Sequence, residues 1–191
     1  MSYDPPRPAG RLLLTPEDKE APARARRLRG LGLGERTDPA LDTFAGCLAE
    51  ATGAPYAMVN FLDEHRQFFA GLRRPAGGSY RKADGTSPEV GRWLPRDHGF
   101  CPHVVVRRKA LVLEDVLDYP RFAGNPVVDE FGIRSYLGAP LIDSTGMVLG
   151  TVCVADLAPR AWGRTGLETI KSAAADLVVR LERRESDGLG P

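Results

Sequence analysis

Apolar and polar positions alternate along the chain in two periods, and the changes of period mark its elements. Leu41, Phe44, Ala45 and Leu48 recur at three and four residues and form one face of a helix. It starts at Thr37 or Asp38, whose side chain caps free N–H groups, with Pro39 in the first turn, and Gly53 stops it. Tyr56 to Leu62 and Gln67 to Leu72 are β-forming runs around the polar turn Asp63-Glu64-His65-Arg66, which predicts a hairpin. Residues 73–97 are rich in Gly, Pro, Arg and Ser, with Trp93 inside; so long a stretch without period is often a lid or binding loop. A short helix over Phe100–Arg108 and a strand over Ala110–Glu114 follow. Asp115 to Ile133 mixes turn residues with the buried-looking Phe122, Val127, Val128 and Phe131, so it is expected to be irregular or briefly helical. Ser135–Ile142 and Met147–Ala155 flank the turn Asp143-Ser144-Thr145-Gly146 as a second hairpin. After Pro159, the positions Leu167, Ile170, Ala174, Leu177, Val178 and Leu181 trace a last helix from about Thr165, with Asp176 and Arg180 paired outside.

Consecutive hairpins without regular βαβ alternation predict an α+β domain, an antiparallel sheet flanked by helices. Residues 1–34 are expected to be a flexible N-terminal arm, proline-rich to about residue 22, with a short helix over Arg24–Leu33 ended by glycines. The domain itself is expected over 35–185, and the polar, glycine-rich tail 186–191 is expected to be disordered.

Composition narrows the partners. A length of 191 residues suits one domain, and 42% hydrophobic residues suffice for a core. A net charge of +1 gives no electrostatic reason to expect nucleic acid or lipid. The cluster Arg24, Arg26, Arg27 and Arg29 reads as a solvated helix or tether. The N-terminus lacks the basic-then-apolar pattern of a signal peptide, and no apolar run is long enough to cross a bilayer. Cys47, Cys101 and Cys153 are odd in number and far apart, which fits reduced thiols; the expectation is a cytoplasmic protein.

Several short motifs then occur in a specific order: Phe100-Cys101-Pro102-His103, Leu113-Glu114-Asp115-Val116, Asp118-Tyr119-Pro120-Arg121-Phe122, Asn125-Pro126-Val127-Val128, Ile133-Arg134-Ser135-Tyr136, Gly138-Ala139-Pro140-Leu141 and Gly150-Thr151-Val152-Cys153-Val154, with Asp156, Pro159 and Arg160. In that order and spacing the chain resembles the GAF domains of bacterial sensor proteins, over about residues 35–185. The resemblance implies a sheet of about six strands, a pocket between the sheet and the connecting segments, and dimerisation through the first and last helices. Gly138 and Gly150 read as close-approach positions inside strands, and Asp115 and Asp156 as carboxylates that accept backbone N–H groups.

His98, Cys101 and His103 fall within six residues and are metal-type side chains, but their spacing is not that of a zinc site and no fourth ligand follows. Bilin-binding relatives attach their chromophore through a cysteine followed by histidine, whereas Pro102 intervenes here. The Asn-Lys-Phe-Asp-Glu signature of cyclic-nucleotide-binding relatives is not found. Free methionine sulfoxide reductases share the fold and use cysteines clustered at one pocket, whereas these three lie far apart along the chain. Cys101 near a helix start could be reactive; Cys153 and Cys47 read as packing residues. No catalytic constellation, metal or cofactor is assigned. The pocket wall is expected from Phe100, Cys101, His103, Tyr119, Phe122, Val128, Phe131, Arg134 and Tyr136, with Arg134 as an anchor for an anion. The leading expectation is a stand-alone sensory domain that binds a small molecule, or a homodimeric or heterologous signalling partner through its terminal helices. A cysteine-based redox enzyme or thiol sensor and a ligand-free interaction scaffold are the alternatives.

Overall fold

The computed structural model describes residues 15–77 and 82–187. Its elements in chain order are α1 (Ala21–Gly30), α2 (Pro39–Thr52), β1 (Tyr56–Leu62), β2 (Arg66–Arg73), β3 (Trp93–Pro95), α3 (Cys101–Arg107), β4 (Leu111–Leu113), a 3-10 turn (Val116–Asp118), α4 (Pro120–Ala123), α5 (Pro126–Phe131), β5 (Ser135–Ile142), β6 (Val148–Asp156) and α6 (Gly163–Ser186). The strands form one antiparallel six-stranded sheet in the order β3-β2-β1-β6-β5-β4.

Every residue of β1 is buried because both faces of the sheet are covered. Alternation sorts the side chains. Ala57, Val59, Phe61, Leu137, Val152 and Val154 join a core with α2 and α6. Tyr56, Met58, Leu62, Tyr136, Cys153 and Ala155 face α3 and the short helices on the other side.

The local chemistry of the termini is that expected from the sequence. Asp38 caps α2 by accepting the Ala40 N–H at 2.8 Å, and Gly53 ends it with φ 65°. Arg160 donates to the Thr52 carbonyl at 2.9 Å and to the Gly53 carbonyl at 2.5 Å, completing that end of the helix while pairing with Asp156. Asp115 accepts the Leu117 N–H at 3.1 Å, and Asp156 accepts that of Ala158 at 3.2 Å. Gly46 lies within α2 with open space around its missing side chain. Gly46→Ala should therefore stabilise the chain by about 0.5–1 kcal/mol, read as an increased midpoint in chemical denaturation.

Two expectations need correction. The long loop 73–97 contains the sixth strand, β3, whose Trp93 ring stacks on Phe68 at 4.3 Å and lies 3.9 Å from the Arg66 guanidinium. The segment Asp115–Ile133 is irregular and briefly helical as expected, with the 3-10 turn and two short helices, α4 and α5, each begun by a proline or a capping side chain. Within the expected N-terminal arm, α1 is a docked helix beginning at Ala21; residues 1–14 lie outside the described residues. Its Arg24 is fully buried and donates to the carbonyl oxygens of Leu62 (3.0 Å) and Val148 (3.4 Å), with Asp18 as its counter-ion. Arg27 bonds Asp143 at 2.9 Å and reaches the two Glu185 oxygens at 2.8 and 3.0 Å, so α1 is tied to the end of α6.

Candidate functional site

A cavity of about 50 Å³ lies between the sheet and the segments that cover it, α3 and α5. Tyr56, Met58 and Phe69 from β1 and β2, and Tyr136 and Ala155 from β5 and β6, form its sheet side. Phe100, Cys101, Val127, Phe131 and Ile133 form the cover, and Gln67 supplies a polar edge. The cover is fixed by Asn125, whose side chain accepts the Gly99 N–H and donates to the Gly99 carbonyl, both at 2.8 Å. That exchange clamps the start of α3 to the start of α5, where Asn125 also accepts the Val127 N–H at 3.2 Å.

Behind the cavity the apolar sheet carries a buried polar cluster. Asn60 and Thr151 face each other across β1 and β6, and Asn60 donates to Gln67 at 2.9 Å. Gln67 in turn donates to the Pro95 carbonyl at 2.9 Å and the His98 carbonyl at 2.5 Å. Asn60 Oδ1 and Thr151 Oγ1 are buried without a regular hydrogen-bond partner among the described residues; both lie near the Cys101 sulfur, which gives them at most a weak one. Into this cluster α3 projects Cys101, with its Sγ 3.3 Å from Tyr136 Oη and 3.7 Å from Cys153 Sγ. The contact with Cys153, then Thr151, Tyr136 and Asn60, bring the Cys101 thiol down from its ordinary 9.0 to about 6 against the opposing effect of burial. The same sulfur contact, burial and the charge on Cys101 push Cys153 well up. One proton thus leaves the pair readily and the other is held, a property of the two sulfurs together.

The residues expected to form the pocket wall divide. Phe100, Cys101, Phe131 and Tyr136 line the cavity. Val128 packs half-buried at the edge of this core. Phe122 is buried behind Phe100, ring centroids 5.7 Å apart, and His103 packs edge-on against Phe122 at 4.9 Å. Tyr119 is 40% exposed and lies outside the cavity. Arg134 is bound to Asp115 at 3.0 and 2.5 Å, so its guanidinium is committed to a carboxylate of its own chain. The expected ligand-type cluster also disperses, since His98 faces Asp97 (3.0 Å) and Glu130 (3.7 Å) while Cys101 turns to the sheet. Among the described residues no group of three or more His, Cys, Asp or Glu side chains is placed to hold a metal ion. Cys47, expected in the packing, is exposed on α2.

Asn60, Gln67, Thr151 and Cys153 were not among the expected site residues. Their signal is legible afterwards: a polar side chain within a run of apolar ones, repeated at even spacing, puts polar groups on one sheet face.

His103 has its own consequence. Burial first, then the charges of Arg121, Arg107 and Arg96, lower its pKa from 6.5 to about 4, and its Nδ1 has no partner among the described residues. Between those values the unfolded chain binds a proton that the folded chain refuses, so stability falls as the pH drops from 6.5 towards 4 and then levels. His103→Phe should flatten the dependence of the melting temperature on pH within that window.

The matches to known proteins agree with this architecture. The GAF domain profile matches residues 36–181. The chain belongs to the GAF domain family. A curated relative, a cyclic di-GMP phosphodiesterase of Pseudomonas aeruginosa, is 34% identical over 132 residues, which cover 67% of this chain and 20% of the relative. This GAF chain therefore matches about a fifth of that protein's length. Among solved structures, the GAF domain of an Acinetobacter phosphoenolpyruvate-protein phosphotransferase has a TM-score of 0.57 at 16% identity, covering 90% of this chain and 98% of that one. A Neisseria meningitidis free methionine-R-sulfoxide reductase in complex with its substrate has 0.58 at 18%, covering 87% and 93%. A far-red cyanobacteriochrome photoreceptor has 0.57 at 12%, covering 85% and 93%. These likenesses establish the GAF fold with its six-stranded sheet. No helix among the described residues is long and apolar enough to cross a membrane.

Proposed function

We propose that this chain is a sensory GAF domain whose input site is the cavity beneath α3 and α5, read out through α2 and α6. The observation that carries this reading is an apolar cavity whose wall residues Cys101 and Gln67 adjoin a buried polar cluster behind it, where Asn60 Oδ1 and Thr151 Oγ1 lack regular partners among the described residues. A purely structural core would fill the first and satisfy the second. Its size restricts the input: one water needs about 10–15 Å³ of such space, so a cavity of about 50 Å³ suits a molecule the size of a few waters. A nucleotide or a bilin would require the cover to move outward. The signalling role of the Pseudomonas relative fits such a module within a longer protein.

The readout is assigned to the opposite face of the sheet. There α2 and α6 border a shallow groove of about 560 Å³ lined by Thr43, Phe44, Cys47 and Ala51 on one side and by Ser172, Ala173, Asp176 and Arg180 on the other. Small residues on both helices permit close approach of a second helix, from another copy or from a signalling partner. Ala155 lines the cavity without entering this groove. Native mass spectrometry of the chain and its Ala155→Val variant, each purified from the natural host, tests the input. The wild type should retain a small bound mass that Ala155→Val loses while folding normally. Wild type free of any bound mass, with a partner held equally by both proteins, would instead favour a ligand-free interaction scaffold.

A further inference from the structure

We propose that Cys101 and Cys153 form a buried dithiol that a small hydroperoxide entering the adjacent cavity oxidises to a disulfide. The inference rests on the reading of that cavity as the input site and names the chemical class of the signal.

Three observations converge on it. The two sulfurs are 3.7 Å apart although the residues are 52 positions apart in sequence. Closure to a bond of about 2.0 Å requires an approach of roughly 1.7 Å, within reach of a shift of the short helix α3 against β6. Cys101 also lines the cavity, which has room for a molecule the size of a few waters. Lastly, Tyr136 Oη lies 3.3 Å from Cys101 Sγ, and the buried Thr151 hydroxyl near that sulfur has no regular hydrogen-bond partner among the described residues. Both are donors available to a thiolate or to a departing oxygen. The low pKa of Cys101 supplies the nucleophilic form at neutral pH.

The chemistry balances in two steps. Cys101 thiolate attacks one peroxide oxygen, forming an S–O bond and breaking O–O; the other oxygen leaves with a proton as water or an alcohol. Cys153 sulfur then attacks the Cys101 sulfenic sulfur, forming S–S and breaking S–O, and the released hydroxide takes the Cys153 proton to leave as water. The dithiol loses two electrons and the peroxide gains them. Oxidation draws the first turn of α3 towards the sheet and alters the cavity cover that Asn125 clamps to α5.

The test titrates the reduced full-length chain with hydrogen peroxide and follows intact mass, peptide mapping and reversal by dithiothreitol. The expected product is lighter by two hydrogens, with Cys101 and Cys153 joined, in both wild type and Cys47→Ser. Cys153→Ser should stop at a single-oxygen adduct on Cys101 that dimedone traps. A bulky organic hydroperoxide should react roughly tenfold or more slowly, because a cavity of about 50 Å³ admits only a molecule the size of a few waters. Oxidation confined to Cys47, or a Cys101–Cys153 pair that reacts only after unfolding, would overturn the proposal. If the thiols stay inert while the wild type retains another bound mass, this inference fails and the sensory reading stands. If the disulfide forms but α2 and α6 are unaltered, the chemistry stands and the sensory reading fails.

Discussion

Arg24→Met is expected to destabilise the folded chain by about 3–5 kcal/mol, measured as a loss in the free energy of chemical unfolding. The guanidinium has no exposed surface and holds the carbonyl oxygens of Leu62 and Val148 as well as the Asp18 carboxylate, itself buried. Burial depresses its pKa, with Asp18 opposing; a methionine of similar length removes the donor to both carbonyls and leaves the buried Asp18 carboxylate only the longer 3.4 Å contact with Arg96. Arg26→Met, two residues away on the exposed side of α1, should change stability by no more than about 0.5 kcal/mol. Equal effects from the two variants would show that α1 is not anchored as described. The anchor matters for signalling because α1 reaches through Arg27 to the end of α6, tying the start of the domain to its last helix.

Gly150→Ala should be at least as damaging, costing about 3 kcal/mol or more and giving largely insoluble protein. Gly150 faces Phe61 across the central β1–β6 pair, and an added Cβ would fall on the Asn60 carbonyl oxygen. Neither strand can retreat, since β1 is bonded to β2 and β6 to β5 on their far sides. Gly124→Ala, with open space around it, is the matched control and should behave almost as wild type. Soluble, fully folded Gly150→Ala would contradict the close approach of the central strands.

The frame of this domain was legible because its signals are local. Asp38 and Gly53 bound α2 as capping chemistry requires, and the β1 and β5 spans match the β-forming runs residue for residue. The edge strand β3 was hidden because three residues inside a Gly- and Pro-rich stretch carry no period; pairing with β2 creates it. Arg24 looked solvated because an arginine among arginines gives no hint of buried carbonyl partners distant in sequence. The site was only half legible for the same reason. Phe100, Cys101, Phe131 and Tyr136 line the cavity, while Tyr119 turns outward and Arg134 pairs with Asp115. Cysteines on a helix and a strand looked unrelated until the fold set their sulfurs 3.7 Å apart.

In a sensory domain of this architecture, a change at the cavity is felt on the opposite face of the sheet. Hydrogen exchange with mass spectrometry, comparing the reduced and peroxide-treated chain, tests it most directly. Altered protection is expected in α3 and α5 together with a change in α2 and α6, which share β1, β5 and β6 with the cavity. Changes confined to α3 and α5, with α2 and α6 exchanging as before, would contradict it.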